Sequence, residues 1–157
     1  MASDFARYIA NLRQSLFDEK LLDRQFLQLE RLETNNEGYL EDVCADYFKD
    51  AAKFVGLMVP DLQGPPYDAH SIESLLHRFK GMATGMGAIQ VTHQIDCMRE
   101  HLKRGDFEAC KIALERIKQE NEFLQFKLDN YFKLRKQAPP AEIEDQPEYG
   151  YMDTDSE

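Results

Sequence analysis

An all-α fold, an antiparallel four-helix bundle with two additional N-terminal helices, is what this 157-residue sequence predicts. Three observations lead there. Apolar residues recur at three- and four-residue spacing in six successive segments, the period of a helix with one buried face. No segment alternates apolar and polar residues as a strand does. Short breakers rich in Gly, Pro and Asn separate most segments, and the last four follow one another closely, as antiparallel bundle neighbours do.

The elements follow in order. Ser3 or Asp4 can cap a first helix carrying Phe5, Tyr8, Ile9, Leu12 and Leu16 on one face. A second helix holds Leu22, Phe26, Leu29 and Leu32 and ends before the breaker Asn35-Asn36-Glu37-Gly38. A third places Leu40, Val43, Cys44, Tyr47, Phe48, Ala51, Val55 and Met58 on one stripe, and Pro60 is expected to stop it. The loop Pro60-Asp61-Leu62-Gln63-Gly64-Pro65-Pro66 is too rich in Pro and Gly to be regular. The fourth helix carries Ile72, Leu75, Leu76, Phe79, Ala83 and Met86, and the fifth Ala88, Val91, Ile95, Met98 and Leu102. Gly85 and Gly87 either bend one long helix or separate these two. Gly105 ends the fifth helix and Asp106 can cap the last, whose core side holds Phe107, Cys110, Leu114, Ile117, Leu124, Leu128 and Tyr131. Residues 1–137 thus form one helical domain. Residues 138–157, opening on Pro139-Pro140 and rich in Glu and Asp, are expected to be an acidic disordered tail. Thr154 and Ser156 have acidic neighbours there and are candidate modification sites, although a solubilising tail explains the composition equally well.

A net charge of −10 argues against nucleic-acid binding by phosphate neutralisation. No apolar run approaches the roughly 20 residues of a membrane span. The start Met1-Ala2-Ser3-Asp4-Phe5 lacks the basic and apolar regions of a signal peptide. Three cysteines, Cys44, Cys97 and Cys110, fit reduced thiols better than a disulfide framework. The expectation is a soluble protein of cytoplasm and nucleus.

One residue stands on the wrong side of its helix. The apolar stripe of the fourth helix is about 80° wide, and His77 lies about 140° from its centre, so it should face water. Lys80, Gly81 and Thr84 follow at i+3, i+4 and i+7 on the same exposed face. Glycine inside a helix costs about 1 kcal/mol against alanine. A bare backbone beside an exposed imidazole suits an imidazole offered to a partner. An imidazole titrates near pH 6.5, so its nitrogen is a usable nucleophile at neutral pH. Any side chain at i+4 would obstruct a partner's approach to that nitrogen, and Gly81 has none. Lys80 adds a cation at i+3 that suits an anionic group at the imidazole. Glu73, at i−4, could orient the other ring nitrogen, or serve only as an acidic residue near a helix start. No local carboxylate cluster offers a metal site, so no cofactor is expected and any Mg²⁺ should come with the partner.

The string His77-Arg78-Phe79-Lys80-Gly81, with Gly87-Ala88 six residues on, resembles the motif of plant-type histidine-containing phosphotransfer proteins, His-Gln-Leu-Lys-Gly-Ser-Ser-x-Ser-x-Gly-Ala. Leu22-Asp23-Arg24-Gln25-Phe26, Tyr47-Phe48-Lys49-Asp50-Ala51 and the run from Glu108 to Leu134 are similar to that family's helices. The resemblance spans roughly Leu21 to Arg135. It implies a phosphorelay intermediate, not an autonomous kinase. Such a protein accepts a phosphoryl group from a receiver-domain aspartate of a hybrid sensor histidine kinase and passes it to a response regulator, in cytokinin-type two-component signalling. It also implies that His77 is the phosphohistidine, with Lys80, Gly81, Arg78 and Thr84 at the phosphate or partner surface. Two departures bear on partner choice and rate: Arg78 replaces the family's Gln, and Met82-Ala83-Thr84-Gly85 replaces its serine cluster. Some relatives lack the histidine and act as non-transferring decoys; this chain keeps it. A helical interaction module that binds the same receivers without transfer is the alternative.

His93, Cys97 and His101 stand at i, i+4 and i+8 on the fifth helix, a spacing that rarely converges on one ion. Arg104-Gly105-Asp106 spells an integrin-binding tripeptide but reads better as a glycine stop followed by an aspartate cap.

Overall fold

The structure is a computed structural model and describes residues 3–137. The predicted tail, with Thr154 and Ser156, lies outside these residues. Helix α1 spans Asp4–Asp18, capped by Ser3, whose hydroxyl accepts from Ala6 N at 3.0 Å. Helix α2, Arg24–Leu32, starts two residues later than the apolar pattern implied, because the Asp23 carboxylate accepts from Gln25 N and makes that residue the cap. Leu22 instead forms an antiparallel bridge with Ala88. A 3₁₀ turn, Glu33–Asn35, follows α2, and Gly38 at φ +82° admits helix α3, Tyr39–Asp61. Pro60 does not stop α3 before itself but sits one residue inside its end. Proline forfeits its own N–H and crowds the carbonyl four residues back, and the helix ends one residue after it.

Asp68 caps α4, Ala69–Met86, by accepting from Ser71 N at 3.0 Å. Gly87, at φ +80°, ends that helix, and α5 runs Ile89–Lys103. Gly85 stays within α4, so Gly87 separates the two helices and nothing bends a single long one. Gly105 at φ +71° closes α5. Asp106 then caps α6, Phe107–Arg135, through Ala109 N, so the tripeptide serves as a stop and a cap.

The ring of the bundle runs α3, α4, α5, α6 and closes on α3, with α1 laid on α6 and α2 against α3 and α4. The end of α6 meets the start of the α3 region, where Arg135 pairs with Glu33 at 3.2 Å and Lys136 with Glu41 at 2.9 Å. Arg13 of α1 grips Glu30 of α2 in a two-pronged contact of 3.0 and 2.7 Å, nearly out of solvent. Phe26, Leu40, Met58, Ile72, Leu76, Phe79, Ile95, Met98, Ile117 and Leu128 are fully buried. The predicted stripes of α3 to α6 line this core, apart from half-buried positions such as Leu75 and Phe107. Two of the N-terminal expectations fail. Phe5 and Tyr8 are exposed, because among the described residues α1 packs on α6 and α2 and buries Ala6, Ile9, Leu16 and Phe17. Leu32, at the open end of α2, is exposed as well.

Candidate functional site

Burying Ile72, Leu76, Phe79, Ala83 and Met86 sets the rotation of α4, and that rotation turns His77 outward. His77 is exposed, and its side chain makes no hydrogen bond or ion pair with any described residue. Gly81 and Gly85 continue its face at i+4 and i+8, both exposed. A methyl group added at either would meet nothing within 4 Å. The imidazole therefore stands beside two bare positions, one and two helical turns further on. Thr84 is exposed on the same side. Gly85 is the second half of this clearing, and its signal in the sequence was the i+8 spacing from His77.

The charged neighbours of His77 are engaged. Lys80 Nζ lies 2.7 Å from Asp96 Oδ1 on α5, with both side chains about half exposed. Glu73, one turn before His77, is bound by the Arg99 guanidinium of α5, so its carboxylate braces two helices and does not orient the imidazole. Arg78 turns towards α3, its guanidinium carbon 5.3 Å from the centroid of the Phe54 ring. Phe54 in turn stacks on Phe79 at 5.5 Å. Arg78, Phe54, Met82, Leu57, Asp50 and Lys53 line a groove of about 370 Å³ between α3 and α4, beside the His77 face. The structure thus places His77, Gly81 and Thr84 on one open surface, ties Lys80 to Asp96 and rests Arg78 on an aromatic ring. Asp96, Arg99 and Phe54 escaped the sequence reading because each comes from another helix.

Other reactive groups lie elsewhere. His93 Nε2 and Cys97 Sγ are 3.9 Å apart on exposed α5, and no three His, Cys, Asp or Glu side chains among the described residues are grouped to hold a metal ion. Burial, aided by the Asp129 and Glu33 carboxylates, pushes the Cys44 thiol up to about 12; burial and Asp106 push Cys110 up to about 11. Neither is a ready thiolate at neutral pH. No described helix is long and apolar enough to cross a membrane.

No family model matches the chain. Among known proteins it is similar to histidine-containing phosphotransfer protein 4 of Arabidopsis thaliana, 35% identical over 112 residues that cover 71% of this chain and 88% of that one. It is also similar to pseudo histidine-containing phosphotransfer protein 2 of rice, 29% identical over 141 residues, 89% of this chain and 93% of that one. The crystal structure of a histidine-containing phosphotransfer protein from Medicago truncatula superposes with a TM-score of 0.81 at 25% identity, covering 86% of this chain and 92% of that one. That of a maize protein with the same description superposes at 0.78 and 24% identity, over 85% and 98%. With this likeness in sequence and in fold, the chain belongs to the plant histidine-containing phosphotransfer proteins.

Proposed function

We propose that this chain is a transferring phosphorelay intermediate that carries the phosphoryl group on His77. The observation that carries the reading is the exposed imidazole, unpartnered among the described residues, beside the bare backbone of Gly81 and Gly85. An unprotonated ring nitrogen attacks the phosphorus of a receiver's aspartyl phosphate. The N–P bond forms, the P–O bond to the acyl group breaks, and the aspartate carboxylate leaves with the electron pair. The other ring nitrogen keeps its proton. The reverse step, onto a response-regulator aspartate, regenerates free His77. Both steps require the imidazole to enter a partner's cleft, and the clearing along α4 admits the partner's loops. Mg²⁺ comes with the receiver. A chain that only receives and gives in this way needs no nucleotide site and is not an autonomous kinase.

The donors are receiver domains of hybrid sensor histidine kinases and the acceptors response regulators, in cytokinin-type signalling that passes between cytoplasm and nucleus. One finding favours the rival reading, a receiver-binding module without transfer. Relatives whose names carry "pseudo" match this chain at 29 and 30% identity over most of their length. A three-component relay decides between the two. A hybrid kinase labelled on its receiver, this chain and an unlabelled response regulator are mixed. We expect label to reach the regulator only when the chain is present. Binding to the receiver without movement of label would establish the decoy.

A further inference from the structure

Two ion pairs cross from α4 to α5 on either side of His77. Glu73, one turn before it, is held by Arg99, and Lys80, one turn after it, by Asp96 at 2.7 Å. The second pair is open to water, with Lys80 40% and Asp96 52% exposed. Pairs of this kind are weak and exchange partners readily. A phosphoryl group on His77 brings up to two negative charges to the neighbouring position on the same face as Lys80. One ammonium then faces two rival anions. Arg78 is set over Phe54 and Arg99 is committed to Glu73, so the contest centres on Lys80.

We propose that Asp96 is a positioning residue for phosphoryl transfer, acting through Lys80. It is the counterion that holds Lys80 in the unmodified protein and yields it when His77 is phosphorylated. This rests on reading His77 as the phosphoryl carrier. Asp96 keeps Lys80 ordered and neutralised until the phosphoryl group arrives. It then competes with that group, so the phosphohistidine is held less firmly and given up more readily. Replacing Asp96 leaves Lys80 to the phosphoryl group alone.

Phosphoramidate, a small chemical donor, tests this on the full chain without any receiver. The phosphorus NMR signal of His77 is identified by its loss in His77→Gln, and its titration gives the second ionisation of the phosphoryl group. Asp96→Asn should lower that pKa by about 0.5 unit, the threefold change of one exposed ion pair. Lys80→Ala should raise it. In the Lys80→Ala background, Asp96→Asn should produce less than half of its shift. An equal shift in both backgrounds would mean that Asp96 repels the phosphoryl group directly, and would overturn the proposal; so would no shift in Asp96→Asn alone. Chemical loading separates the two readings. If receivers fail to phosphorylate His77, the carrier reading falls, and this titration still decides whether Asp96 competes with the phosphoryl group for Lys80. If phosphoramidate cannot load His77 either, both fall.

Discussion

Gly87 and Asp23 meet backbone to backbone: the Asp23 amide donates to the Gly87 carbonyl at 3.0 Å. A Cβ on Gly87 would sit 2.7 Å from Asp23 Oδ1 and 2.9 Å from Phe26 N. The contact ties the end of α4 to the start of α2. It also makes Gly87 a structural residue, although it belongs to the same motif as His77.

Gly87→Ala should therefore destabilise the protein by about 2–4 kcal/mol, combining strain at φ +80° with displacement of the α2 cap. Urea unfolding measures it. A loss under about 0.5 kcal/mol would show that α2 does not need this approach.

The opposite sign is expected at Gly81 and Gly85. Each lies in helical backbone with open space around it, so alanine should raise stability by up to about 1 kcal/mol. Gly81→Leu should keep the fold and slow transfer sharply. Thermal melts and transfer kinetics on the same preparations separate the two effects; normal transfer by Gly81→Leu would dismiss the clearing as a docking requirement.

Lys80→Ala should slow transfer from a phosphorylated receiver onto His77 while leaving the fold intact. A charge-assisted contact contributes about 1.5–3 kcal/mol, and releasing Lys80 from Asp96 offsets up to about 1 kcal/mol of that. The expected loss is roughly two- to 150-fold. Unchanged transfer kinetics would remove Lys80 from the site.

Tyr47 donates to Asn121 Oδ1 at 2.7 Å inside the core, where Asn121 Nδ2 has no partner among the described residues. Tyr47→Phe should cost about 1–3 kcal/mol by stranding the amide. The double variant Tyr47→Phe, Asn121→Leu should recover most of it. If the double variant is as unstable as the sum of the singles, the pair does more than satisfy itself.

Stability should fall as pH rises above 9. Burial, the largest cause, raises the Cys44 thiol to about 12 and the Cys110 thiol to about 11, and pushes the Tyr47 phenol up as well. The folded chain then keeps protons that the unfolded chain releases. Stability is whole below the unfolded pKa values and drains away between about pH 9 and 12, by up to about 1.4 kcal/mol per pH unit for each group. Denaturant titrations at pH 8 and 11 should differ in midpoint, and Cys44→Ala should flatten the difference.

How much of this was legible in the sequence depends on its range. The rotation of α4, and with it the exposure of His77, followed from Ile72, Phe79, Ala83 and Met86, because helical period is a local property. The caps at Ser3 and Asp106 followed for the same reason. The partners of Lys80 and Glu73 did not. Asp96 and Arg99 are 16 and 26 residues away, and only the packing of α4 on α5 brings them near. Asn121 occupies the core register between Ile117 and Leu124, where a search for apolar residues passes over it. Phe5 and Tyr8 were placed inside because periodicity names a face without saying how much of it a neighbour covers.

The most direct test of the central claim is to incubate the chain with a phosphorylated receiver domain and locate the label. We expect one acid-labile, alkali-stable phosphoryl group on His77, absent from His77→Gln at unchanged helical content. Label that survives that substitution, or that sits on His70, His93 or His101, would contradict the account.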